Sequence, residues 1–114
     1  MSERVKHMPK FRMELRWTPK GLDNIHKYGE RRDKARRRAA EHHVTGPDGG
    51  DIQVHETDAG PDWLVEGSRS DVENLATLFR WHNFVTVRVV GPFLAADEFA
   101  KLVEDFAKLR GARP

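Results

Sequence analysis

Between Lys27 and Arg38 the chain carries a run of cationic side chains at helical spacing. At about 100° per residue, Lys27, Arg31, Lys34 and Arg38 fall within a narrow arc, with Ile25, Tyr28, Ala35 and Ala39 roughly opposite. Four cations on one stripe have two natural uses. They neutralise phosphates and release condensed counterions, or they meet carboxylates on another protein. Asp23, Glu30 and Glu41 border the stripe and weaken its field. Arg32 and Arg36 fall toward the apolar side of the same helix. They either snorkel past a thin alanine-lined surface or face a partner that supplies carboxylates. Ala35, Ala39 and Ala40 allow close approach but bury little, which leaves this half of the helix under-covered for a monomer. Trp81 lies off the apolar stripe of its own helix, where an exposed indole serves as an interface anchor.

The remaining reactive residue types form no recognisable site. His42, His43, His55 and Glu56 lack the spacing of four that sets two imidazoles on one ion, so no metal site is expected. Of the serines Ser2, Ser68 and Ser70, Ser70 is explained by helix capping, and no glycine-flanked nucleophile elbow occurs. Gly46, Gly49 and Gly50 lie in an acidic loop, a poor phosphate cradle. With no cysteine there is no disulfide framework, thiolate metal site or cysteine nucleophile. The expectation is a protein that is not an enzyme, with no catalytic residue and no cofactor. No apolar run approaches the ~20 residues that cross a bilayer.

The net charge of +2 conceals an asymmetry. Residues 1–44 hold 13 Lys and Arg against 6 Asp and Glu, a balance of +7, whereas 45–76 hold one against 8, or −7. Opposite blocks on one small chain suit contacts between protein chains, including copies meeting head to tail. At 114 residues the chain is expected to form one domain over 10–111, between a polar arm at 1–9 and a short tail at 112–114.

Several elements must position the basic stretch. Phe11, Met13, Leu15 and Trp17 alternate with Arg12, Glu14 and Arg16, a half-buried strand. Thr18-Pro19 supplies a cap and an N-terminal proline for a helix over 19–43, with Gly29 its weak point. Short strands at 51–57 and 63–66 flank a turn and form a hairpin. Ser70 and Glu73 match the capping box of a helix bearing Val72, Leu75, Ala76, Phe79 and His82, with Asn83 as its left-handed cap. A strand over 84–90 ends at Gly91-Pro92, and Phe99, Leu102, Val103, Phe106 and Leu109 stripe a last helix stopped by Gly111. This order predicts an α+β fold, a ferredoxin-like β-α-β-β-α-β antiparallel sheet with an additional C-terminal helix. The expected core includes Phe11, Met13, Leu15, Leu75, Phe79, Val87, Phe99 and Phe106. RNA readers on such sheets use exposed aromatics, and the outward positions Arg12, Glu14 and Arg16 offer none.

The stretch Phe11-Arg12-Met13-Glu14-Leu15-Arg16-Trp17-Thr18-Pro19-Lys20-Gly21-Leu22 resembles the opening of small neck proteins of long-tailed actinobacterial phages, the head–tail connector and tail-completion group. Those proteins begin with a short strand ending in tryptophan, then a glycine, a long charged helix and a β-hairpin. The hairpin here is acidic where the group's is rich in glycine and arginine. The strand over 84–90 and the final helix extend beyond the group's pattern. The resemblance implies a non-enzymatic virion protein forming a ring between capsid and tail, and no functional residue carries over from it. The expected partners are other protein chains, in a homo-oligomer or larger assembly. The alternative is a small nucleic-acid-binding module using the 27–38 face. Met1 to His7 lacks the apolar core of a signal peptide, so the expected compartment is the cytoplasm, or the virion on the phage resemblance.

Overall fold

The structure is a computed structural model that describes residues 8–111 of the 114. The expected arm before Met8 and the tail at 112–114 lie outside the described residues. Four strands, β1 (Lys10–Trp17), β2 (Gln53–His55), β3 (Asp62–Glu66) and β4 (Val85–Val90), form an antiparallel sheet in the order β2-β3-β1-β4. The helices are α1 (Pro19–Asp23), α2 (Tyr28–Glu41), α3 (Arg69–Trp81) and α4 (Ala96–Gly111). The fold is α+β, as expected. Among the described residues no helix is long and apolar enough to cross a membrane.

The alternation in β1 decides which helix goes where. Phe11, Met13 and Leu15 join Trp63, Val65, Val54 and Val87 on one sheet face, and α3 covers them with Val72, Leu75, Ala76 and Phe79. From α2 only Ala39 enters this core, with Ala35 partly buried beside it. On the opposite face α4 seats Phe99 and Phe106 around Leu64, helped by Phe93, Leu102 and Val103. All eight expected core residues are buried.

The junction after β1 is tied to the junction before β4. The Thr18 hydroxyl accepts from the Gly21 amide (3.1 Å) and donates to the Asn83 carbonyl (2.6 Å), while the Thr18 amide donates to the Phe84 carbonyl (3.0 Å). Asn83 takes the left-handed conformation expected of it, with φ of 61°. Gly21 is required here, because a β-carbon on it would lie 2.0 Å from the Phe84 carbonyl oxygen.

Three local expectations need correction. The helix expected over 19–43 breaks at Asn24, and Gly29 sits inside α2. The Asn24 amide turns back to Gly21 (3.2 Å), its side chain caps Lys20 (2.8 Å), and its carbonyl receives Lys27 (3.0 Å) and the Arg31 guanidinium (2.9 Å). These bonds close α1 and start a 3₁₀ turn over Ile25–Lys27. The cap of α3 is Ser68, not Ser70: its hydroxyl accepts from the Asp71 amide at 3.1 Å, two residues earlier than the box motif implied. His82, expected on the buried stripe, is exposed because α3 ends at Trp81.

The acidic block is also spent partly inside the fold. Asp62, 2% exposed, is held between Arg12 (3.1 Å) and Arg16 (2.7 Å) from β1. Glu66, 1% exposed, accepts a short hydrogen bond from the Asp48 amide, with the Lys10 ammonium 3.8 Å from its other oxygen. Burial pushes the Glu66 carboxyl above the ordinary carboxylate range, and the Asp48 amide and Lys10 offset only part of that. A carboxyl with a raised folded-state pKa contributes stability below its unfolded pKa, and that contribution is lost as pH rises through the folded value. Glu66→Gln keeps an acceptor for the Asp48 amide and carries no charge. Its stability advantage over the wild type in urea unfolding should therefore grow from pH 4 to pH 7. A difference constant across that range would refute the assignment.

Candidate functional site

The break at Asn24 sets the course of α2 over the sheet. Because α2 adds only small alanines to the core, it stands off from α3 and β4, and a groove of about 690 Å³ opens between them. Its floor includes Leu15, Trp17, Trp63, Leu78, Phe79 and Phe84, and its wall carries Lys27, Arg31, Lys34 and Arg38. The cationic arc was expected opposite Tyr28, Ala35 and Ala39. In the structure both arcs face the groove, since on the helical wheel they stand about 100° apart rather than 180°. Arg32 and Arg37 also line the groove. Arg36 is exposed outside this lining, and so is Trp81, at the end of α3 and 82% exposed.

The aromatic rings in the groove already have partners within the fold. Phe84 has the Arg31 guanidinium 4.3 Å and the Lys20 ammonium 4.8 Å from its centroid, cation–π contacts that hold the wall to the floor. Trp17 meets Tyr28 edge to face at 4.9 Å, Trp63 meets Phe79 likewise at 5.4 Å, and Arg32 lies over Tyr28. Trp63 is buried and Phe84 partly buried. No local pattern reveals that they form a groove floor, because the wall facing them comes from a helix far away in the chain.

The groove's unfilled hydrogen-bonding capacity is of one kind. Arg31 Nη2, Arg32 Nε and Trp63 Nε1 are buried donors with no acceptor among the described residues, and such donors are costly to leave unpaired. Two carboxylates also line the groove, Glu30 and Glu41, the second bonded to Arg38 at 3.0 Å. Cations and donors remain in excess, so the arrangement is fitted to hold an anionic group.

The histidines do not converge. His55 packs its ring 5.5 Å from Phe106, on the α4 side of the sheet, while Glu56 accepts the Tyr28 hydroxyl, 2.8 Å from each carboxylate oxygen. Among the described residues no three His, Cys, Asp or Glu side chains gather in a metal-binding arrangement. Comparisons with protein-family models, curated proteins and solved structures give no match to this chain.

Tyr28 is the only tyrosine in the chain. Burial, followed by its hydrogen bond and proximity to Glu56, raises its pKa well above the ordinary 10.0, against the opposing pull of Arg32 and Arg36. The phenol sits 2.8 Å from Glu56, so ionising it would place two anions in contact. For an acid with a raised folded-state pKa, the stabilising contribution is present below the unfolded value and is lost as pH climbs past it. Ultraviolet titration should show no phenolate at pH 10 while the protein stays folded, and Glu56→Gln should bring ionisation to lower pH. A folded wild type ionising near pH 10 would rule out this geometry.

Proposed function

We propose that this chain is a non-enzymatic assembly protein, a repeated subunit of a homo-oligomer or larger complex that works through protein–protein contacts made by α2. The observation that carries the reading is the exposure of α2. Nine of its 14 residues are exposed, only Ala39 is buried, and no side chain caps its start. An isolated helix of that length is marginal in water, and most helical stability comes from packing an apolar face. A partner surface supplies what the subunit's own core does not.

We read the frame beneath it as ferredoxin-like, with α4 as the addition. The order β2-β3-β1-β4 and the antiparallel pairing of each neighbouring pair support that reading. The resemblance of the β1–α1 stretch to phage neck proteins supports a subunit of a virion ring.

Exposed ion pairs contribute only ~0–1 kcal/mol each, so shape and burial along α2 must provide most of the affinity. Sedimentation velocity should show self-association that Arg36→Glu weakens about tenfold or more, with an unchanged circular dichroism spectrum. A strict monomer at about 1 mM, where a contact worth ~4 kcal/mol would half-fill the oligomer, would retire the reading.

A second reading, nucleic-acid binding, is favoured by the shared wall of Lys27, Arg31, Lys34 and Arg38. It requires that changing Arg31 and Arg38 to alanine lower the slope of log affinity against log salt by about two. Undetectable binding of duplex and single strands at low salt removes it.

A further inference from the structure

We infer that the groove between α2 and α3 receives an extended acidic segment of another protein, in which carboxylates alternate with apolar side chains. The inference rests on α2 being a protein-contact element and specifies what that element holds.

The sign of the occupant follows from the lining. Lys27, Arg31, Lys34 and Arg38 stand along one wall, and three buried donors, Arg31 Nη2, Arg32 Nε and Trp63 Nε1, lack acceptors among the described residues. These three atoms are shut off from solvent and show only that the lining is rich in donors. A ligand rich in carboxylates answers the accessible cations Lys27, Lys34 and Arg38, and charge-assisted bonds from cation to carboxylate are the strongest kind open to it.

Spacing gives the occupant its shape. At ~1.5 Å per residue, the rise from Lys27 to Arg38 is about 17 Å, with neighbouring cations ~4.5 to 6 Å apart along the axis. In an extended strand, side chains on one side recur every ~6.6 Å, so about five residues span the wall and put three carboxylates against it. The intervening side chains then point at the floor, where Trp17 and Leu78 are only partly buried. Alternation is therefore the pattern that satisfies both surfaces.

A single-stranded nucleic acid matches the same cation spacing but needs free ring faces on which bases stack. In this groove Phe84 is taken by Arg31 and Lys20, Trp63 is 1% exposed, and Trp17, partly buried, already meets Tyr28, which leaves no series of open faces for successive bases. This chain's own acidic block is a poor donor of the segment, because no three of its carboxylates recur at every second residue, and Asp62 and Glu66 are buried while Glu56 is bonded to Tyr28. The occupant belongs to a different chain.

Fluorescence anisotropy with full-length protein tests this. The probe is a labelled peptide of sequence Glu-Val-Glu-Leu-Glu-Val-Glu. Its block isomer Glu-Glu-Glu-Glu-Val-Leu-Val and a ten-nucleotide oligothymidylate serve as competitors in identity. The alternating peptide should bind saturably, and the isomer about fivefold more weakly despite equal charge. Lys34→Glu with Arg38→Glu, both exposed and outside the core, should weaken binding about tenfold or more at unchanged circular dichroism. Arg36→Glu, outside the groove, should leave it unaltered. Absence of saturation, equal binding of the two isomers, indifference to the Lys34 and Arg38 reversals, or tighter binding of oligothymidylate would each overturn the inference. Self-association measured on the same samples reports separately on the assembly reading, so failure of the one is distinguishable from failure of the other.

Discussion

The alternation of β1 is the constraint on which the rest of the molecule depends. β1 is hydrogen-bonded along both edges, to β3 and to β4, so its side chains are committed to two faces with no freedom to slip. A one-residue shift would send Phe11, Met13 and Leu15 to the polar side and Arg12, Glu14 and Arg16 into the core. The apolar face attracts α3, whose stripe is strong enough to fill it almost alone. The charged face has to be made compatible with coverage by α4. Asp62 does this by taking one guanidinium on each carboxylate oxygen, from Arg16 at 2.7 Å and Arg12 at 3.1 Å. Phe106 then lies 5.9 Å from the Arg12 guanidinium and Phe99 the same distance from the Lys10 ammonium. The aromatic rings of α4 thus rest on paired cations as well as on Leu64, and charge is buried without being left uncompensated.

Because α3 nearly saturates the apolar face, α2 arrives with little left to cover. That division explains both its composition and its place. A helix bearing leucines would compete with α3 for the same sheet surface. One bearing Ala35 and Ala39 can lie close while leaving a gap, and the gap is the groove. Arg31 bridges it by bonding the Asn24 carbonyl and stacking on Phe84, so the wall is fastened at one end and open along its length.

Where period and chemistry coincide, the sequence alone was sufficient. The alternation in β1, the stripe Val72, Leu75, Ala76 and Phe79, and the left-handed Asn83 are local signals, and the structure holds all of them. The misread positions are those where a long-range contact outweighs a local preference. Gly29 is the weaker helix former, yet the helix breaks at Asn24, whose carbonyl is claimed by Arg31. Ser70 and Glu73 fit the capping pattern, yet Ser68 starts α3 because the chain leaves β3 through the buried Gly67, whose amide is bonded to the Pro9 carbonyl. Counting charges by block placed Asp62 and Glu66 on an acidic surface, though strand register buries both. The cations of the site were legible as a stripe. Its floor was not, since only strand pairing brings Trp17, Trp63 and Phe84 together beneath α2.

The charge of α2 bears on how the groove behaves when it is empty. Lys27 and Arg31, Arg32 and Arg36, and Lys34 and Arg38 are like-charged neighbours four residues apart, each pair opposing the helix by ~0.2–0.5 kcal/mol. Opposite charges at the same spacing, Glu30 with Lys34, Asp33 with Arg37 and Arg37 with Glu41, work the other way, as does the Arg38–Glu41 pair at 3.0 Å. Yet six cations against three carboxylates leave α2 with a net positive charge. The helix is therefore held in part against its own repulsion, with one buried residue and no side-chain cap to help. A run of carboxylates laid along the wall would remove that repulsion. Binding and helix stability are then one equilibrium: a partner that neutralises the wall also stiffens α2, and anything that stiffens α2 lowers the ordering cost the partner must meet. Salt weakens the attraction between the wall and a ligand, but it also screens the repulsion within α2. The salt dependence of affinity should accordingly be shallower than the number of ion pairs alone implies.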